Sequence, residues 1–207
     1  ATVAQAFGRF TYSVLLPAIR DDLDHSNTIA GLLGTANVGA YLIGTMVVGA
    51  LSTRLRLMTV FRAGFAFSLT GLAAAAVAPN TALLGLALFV MGIGGALIWI
   101  PSPAIAAAAV GQHRRGVAVG AIGGGIGIGI VFSGQLARVL RERSGDEAWR
   151  TVYGIEVALA IVAVIAILLF FVARGIMGGS KGFRLYVTLT QCFAMGLAIY
   201  TLIAHHV

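Results

Sequence analysis

Few side chains in this sequence can do more than fill space, and most of them sit inside long apolar runs. Arg9 is the first, in the stretch AFGRFTYSVLLPAIRDDL at residues 6–23. It lies about ten residues from the polar end of its run, which at ~1.5 Å per residue is the middle of a hydrocarbon layer ~30 Å thick. An arginine at that depth costs about 2.5–3.5 kcal/mol and is found facing a cavity or a partner. Two roles fit: contact with an anionic group of a solute, or a structural bond to helix carbonyls or to Glu156. Tyr12, three residues on, is expected on the Arg9 face of a helix, and Gln5 extends a polar stripe there. Asn37 and Tyr41 stand one turn apart in GTANVGAYLIG. Asn37 suits a solute contact or an interhelical bond of about 0.6 kcal/mol, and Gln191, in the last apolar run, carries the same choice. Trp99 precedes the pair Pro101 and Pro103 in GIGGALIWIPSPAIAAAAV, where the prolines must break the helical ladder. It either closes a cavity at that break or anchors the chain at an interface.

Glu156 is the one acid placed within an apolar run, at the outer end of the sixth. It is the coupling candidate if a proton is carried, and otherwise an interfacial or ion-pairing group. No enzyme is expected. A buried nucleophile would need a base beside it, but His25 and His113 fall in loops and His205 and His206 at the end of the chain. The single cysteine, Cys192, excludes an internal disulfide and leaves no cluster of metal ligands, so neither a metal nor a cofactor is expected.

These residues need long apolar helices to hold them. Of the 207 residues, 59% are hydrophobic and 10% charged, which points to an all-α, polytopic membrane protein. Seven stretches can span a bilayer, at about 1–19, 30–52, 59–78, 82–105, 117–136, 152–173 and 185–205. The lipid bilayer is then the chain's main partner. The net charge of +7 is scattered over short loops with no basic stripe, so nucleic acid is not a partner.

The loops set the orientation. Arg54, Arg56, Arg62, Arg114, Arg115, Arg174, Lys181 and Arg184 lie on one side without an acid. Arg20, Arg138, Arg141, Arg143 and Arg150 lie on the other, mixed with acids. The positive-inside rule makes the acid-free side cytoplasmic, and with it the N-terminus. RDDLDHSNT offers Ser26 or Asn27 as a helix cap, and APNT reads as a tight turn.

Residues 1–173 read as a six-span bundle, 174–184 as a Gly-rich cytoplasmic linker, and 185–207 as the first span of a second, truncated bundle. Gly34, Gly39, Gly44 and Gly49 in the second span and Gly124, Gly129 and Gly134 in the fifth suggest two inverted three-helix repeats. GAIGGGIGIGIVFSG does not match GxGxxG, since Ile128 occupies the third glycine position. Its steps, such as Gly120 to Gly124 and Gly125 to Gly129, are expected to pack helices closely. The chain has no initiator Met and ends just after an apolar run, so it reads as a fragment or a trimmed chain.

GRFTYSVLLPAIRDDL, AGLLGTANVGAYLIG, RRGVAVGAIGGGIGIG and WRTVYG together resemble the N-terminal half of a major facilitator superfamily transporter, over about residues 8–173. The similarity is greatest to the bacterial YbfB/YjiJ-like branch. The resemblance implies twelve spans in two bundles, an inner-membrane location, and alternating access to a small-molecule solute held between the bundles, with the missing half supplied by further chain. It also implies a gating loop after the second span. GALSTRLRLMTV keeps Gly49 and Arg54 of that motif but has Thr53 for its acid, Arg56 for its second glycine and Leu57 for a basic residue. The usual arginine of the fourth span is Leu88 here, one turn before Gly92. The expected function is secondary transport of a small anionic solute contacted by Arg9, Tyr12, Asn37, Tyr41, Trp99 and Gln191. The alternative is a non-transporting scaffold, or a half-sized unit that pairs with a second copy.

Overall fold

The structure, a computed structural model, describes residues 3–24, 26–51 and 54–177, and all regular structure among them is helical. A π-helical segment, Val3–Phe10, runs directly into α1, Thr11–Asp22. Then follow α2, Asn27–Leu51, α3, Leu57–Ala76, α4, Thr81–Trp99, and α5, Ser102–Val110. A single 3-10 turn, Gln112–Arg114, leads into α6, Arg115–Ser144, and the last described helix is α7, Ala148–Met177.

Among the described residues, five stretches are long and apolar enough to cross a membrane: Asn27–Leu51, Leu57–Ala76, Thr81–Ala108, Arg115–Ser144 and Ala148–Ala166. They correspond to the second to sixth expected spans. The first expected span is helical from Val3 to Asp22 but divided at Thr11 into a π and an α part. The expected seventh span, with Gln191, and the linker beyond Met177 lie outside the described residues.

The Ser26 cap and the break fall where the sequence puts them, and Asn80 in the APNT turn proves to be a second cap. The Ser26 hydroxyl accepts from Ile29 N–H at 3.3 Å, and the Asn80 side chain accepts from Leu83 N–H at 3.0 Å, each satisfying a donor the helix start leaves open. At the double proline α4 stops and α5 begins. Neither proline can donate to the ladder, and the Ser102 hydroxyl donates instead to the Ile98 carbonyl at 2.6 Å. Two helices outrun their hydropathy. α6 continues to Ser144, so Arg138, Arg141 and Arg143 ride on a helix rather than a loop. α7 starts at Ala148, four residues before the expected boundary.

The chain divides into two compact units, Ala1–Val157 and Ala158–Val207. In the first, α4 is the central element, packed by α2 and by α3. Glycine permits both approaches: a Cβ on Gly92 would strike the Asn37 carbonyl oxygen of α2, and one on Gly94 would sit 2.6 Å from the Ser68 nitrogen of α3. The glycines of α6 behave differently from expectation. A Cβ on Gly120, Gly123, Gly124 or Gly127 would meet nothing within 4 Å, so the Gly120 to Gly124 step packs no helix among the described residues. The buried face of α6 is Gly129, Phe132, Ser133 and Ala137 instead. Leu32, Leu42 and Met46 on α2 and Val117, Ile128 and Val131 on α6 are exposed. Such outward apolar faces suit hydrocarbon rather than water. In the second unit, α7 continues as helix from Ala158 to Met177.

Candidate functional site

Arg9 occupies the last turn of the π segment. Its guanidinium carbon lies over the Tyr41 ring of α2, 4.4 Å from the centroid, and 5.7 Å from the Phe10 centroid. A cation over an aromatic face gains about 0.5–1 kcal/mol when exposed and about 2 kcal/mol when desolvated. Arg9 is half-buried, and among the described residues no ion pair or hydrogen bond engages it. The expected bond from Arg9 to Glu156 is therefore not made. With one face of the planar group on Tyr41, its N–H edge remains for an acceptor, and a fork of donors in one plane matches an oxyanion.

Arg9 ends the π segment and Tyr12 lies in α1, and both are set against α2, Arg9 over the Tyr41 ring and Tyr12 beside Gly34. The Tyr12 side chain is buried and its hydroxyl donates to the Ala30 carbonyl at 2.7 Å. Asn37 is also buried, and its amide donates to the Leu88 carbonyl at 2.7 Å and the Gly8 carbonyl at 3.2 Å. Gln5 donates to the Gly95 carbonyl at 3.3 Å. These three side chains tie the π segment and α1 to α2 and α4, holding the backbone that presents Arg9. Trp99 is half-buried at the end of α4, and Gly49 and Arg54 are exposed around the turn after α2.

Glu156 departs furthest from expectation. Neither interfacial nor ion-paired, it is fully buried, because α7 begins earlier than its hydropathy suggests and carries the residue two turns inward. Its Oε1 accepts from the Thr11 hydroxyl and from the Ser133 hydroxyl, both at 2.6 Å. The Thr11 hydroxyl is also 3.1 Å from Ser133 Oγ and 3.2 Å from the Ala6 carbonyl. Glu156 Oε2 and the Tyr153 hydroxyl are buried and have no hydrogen-bond partner among the described residues. An acid, two hydroxyls and a π-segment carbonyl thus meet where the π segment becomes α1.

Thr11 and Ser133 escape a sequence reading because a small hydroxyl hardly alters hydropathy. Depth could have found them. Thr11 lies 11 residues before the end of α1, Ser133 11 before the end of α6, and Glu156 8 after the start of α7. At 1.5 Å per residue these are about 16, 16 and 12 Å from the connecting ends.

A second, charged cluster closes the other end of α1. Asp22 Oδ2 accepts from Trp149 Nε1 at 2.9 Å and from Arg150 Nη1 at 2.8 Å, and Arg150 Nε donates to the Ala78 carbonyl at 3.2 Å. The Arg150 guanidinium covers the buried Trp149 ring at 4.2 Å. Nearby, Arg141 bridges Asp21 at 3.2 Å and Asp146 at 2.6 Å. The connections α1–α2, α3–α4 and α6–α7 are thereby gathered at one end, as alternate loops of a spanning bundle must be.

The family model described as Major Facilitator Superfamily matches residues 1–204. No curated protein matches the chain. With five apolar helices of spanning length, the match makes this a multi-pass membrane protein.

Proposed function

This chain belongs to the major facilitator superfamily, a family of membrane transporters, and from that premise we propose that it moves a small anionic solute by alternating access, with Arg9 as the contact that recognises the anion. The observation that carries the reading is the stacking of Arg9 on Tyr41 at 4.4 Å, with no acid paired to it among the described residues. A guanidinium kept at that depth without a counter-charge has its donors left for a ligand. Tyr41 and Trp99 are the further solute contacts of this proposal, and Gln191 is one outside the described residues. Tyr12 and Asn37 support the site from behind, since their polar groups are already engaged. Glu156 is the candidate for coupling to a proton, and Gly49 and Arg54 for the gating turn. The YbfB/YjiJ-like placement and the second bundle belong to the same proposal and rest on the sequence resemblance.

Binding of a panel of small carboxylates and inorganic phosphate to the purified protein tests the Arg9 reading. Arg9→Lys should keep charge recognition without the planar fork, and Arg9→Gln should lose both. Loss of a charge-assisted bond of about 1.5–3 kcal/mol weakens binding roughly ten- to more than a hundredfold. Unchanged affinity in a stably folded Arg9→Gln protein removes Arg9 from the site.

The gathered loops carry the mixed charges, so we also place that end outside, in an inner membrane, with the N-terminus in the cytoplasm. With Cys192 replaced, an impermeant thiol reagent on intact cells should label Glu147→Cys and spare Arg115→Cys; the reverse pattern inverts the topology.

A further inference from the structure

We infer that Thr11, Ser133 and Glu156 form a hydroxyl switch that positions Arg9, in which a proton gained or lost by Glu156 moves the Thr11 hydrogen bond between Glu156 and the Ala6 carbonyl. The inference rests on the reading of Arg9 as the solute contact, and it assigns a role to side chains that no solute touches.

Thr11 has one hydroxyl proton and three acceptors in reach: Glu156 Oε1 at 2.6 Å, Ser133 Oγ at 3.1 Å and the Ala6 carbonyl at 3.2 Å. Ser133 has one proton, directed at the same Oε1. An ionised carboxylate is the strongest acceptor of the three and takes both protons, leaving Ala6 without its side-chain bond. A carboxyl group that has taken up a proton is a weaker acceptor and can itself donate to Thr11 Oγ1. Thr11 then turns its own proton to Ala6. One proton is bound at Glu156, the Glu156–Thr11 hydrogen bond reverses its direction, and the bond from Thr11 to the Ala6 carbonyl is gained.

Position gives this exchange its consequence. The bond from Thr11 to Ala6 spans five residues and braces the stretch that contains Gly8, Arg9 and Phe10. Gly8 is also held from α2 by Asn37, so the end of the π segment has a fixed point on one side and a switchable one on the other. π segments of this kind recur at functional sites because their backbone has an alternative register close by. Among the described residues the titratable group beside Glu156 is Tyr153, three residues before it on α7, and Tyr12 of α1 lies next to Tyr153 in turn. Both are phenols, and no Lys, Arg or His contacts the cluster among the described residues.

The test reads Arg9 directly and needs no solute. Purified protein in lipid nanodiscs is treated with phenylglyoxal in acidic and alkaline buffer. Modification of Arg9 is scored by mass spectrometry as a ratio to the exposed Arg54, which cancels the pH dependence of the reagent. The ratio should change with pH in the wild type and lose that change in Glu156→Gln, whose amide donates permanently. Thr11→Val should lose the change as well, and Thr11→Ser, which restores the hydroxyl, should recover it. Thermal unfolding identifies variants that fail to fold, and Ser133→Ala provides a second perturbation of the same acceptor. A ratio independent of pH in the wild type, or a dependence that survives in folded Glu156→Gln, overturns the switch. Solute affinity that is insensitive to Arg9→Gln overturns the site reading alone, so the two failures are distinguishable.

Discussion

α1 is held to α6 and α7 at both of its ends, and the two fastenings have opposite chemistry. At its start, Thr11 and Ser133 bring only hydroxyls to the buried carboxyl of Glu156. At its end, Asp22 receives the guanidinium of Arg150 and the indole N–H of Trp149, with Arg150 continuing to the Ala78 carbonyl. Charge neutralised on the spot makes a fixed joint, because changing either partner leaves the other uncompensated. An acid held by hydroxyls has no fixed counter-charge, so its proton can come and go while the oxygens stay together. Stability falls to the fastening at the end of α1 and adjustability to the one at its start.

Removing the acid at each end should separate these roles most widely. Asp22→Ala leaves the buried Trp149 N–H and the Arg150 guanidinium without their acceptor. A fully buried pair broken this way costs 3–5 kcal/mol, and since Arg150 keeps a side-chain exposure of 31%, about 2–3 kcal/mol is expected here. Glu156→Met replaces the inner acid by an apolar group of similar length. Thr11 and Ser133 can still bond each other and Ala6, so a change within about 1 kcal/mol is expected. Denaturant unfolding of both variants in one detergent is the measurement. Equal losses would mean that the two fastenings do the same work.

How much of this was legible in the sequence follows the same division. Hydropathy reports blocks of apolar residues, so the second to sixth spans could be read from it, while the cap at Ser26 and the break at Pro101 and Pro103 follow from residue type. It does not report a change of helical register. The π segment ends at Phe10 without a proline to mark it. Hydropathy also ends a span at the first polar residues, so AWRT at 148–151 fell outside the expected sixth span and Glu156 near its boundary. In the folded chain Trp149 is fully buried and draws that segment into the helix. The partners of Glu156 come from α1 and α6, 145 and 23 residues away, and only tertiary packing brings them together.

The smallest effect belongs to the outermost acid, and it checks whether proximity to the clamp is enough to matter. Asp21 is one residue before Asp22 and has two arginines on it, Arg20 at 2.7 Å and Arg141 at 3.2 Å. The Arg20 hydrogen bond, followed by the charges of Arg20 and Arg141, holds the Asp21 carboxyl below its ordinary range. The sign follows from that direction. A carboxyl depressed in the folded state contributes stability above its unfolded pKa and loses it as pH falls through the folded value. All these groups are exposed, so water and salt screen the pairs and the long side chains lose entropy in forming them. Asp21→Asn should therefore unfold indistinguishably from wild type at neutral pH in physiological salt. At low ionic strength a small deficit should emerge, and it should vanish in acid, where the wild-type carboxyl is itself protonated. A deficit as large as that of Asp22→Ala, or one that persists in acid, would show that the clamp extends to Asp21 by packing rather than by charge.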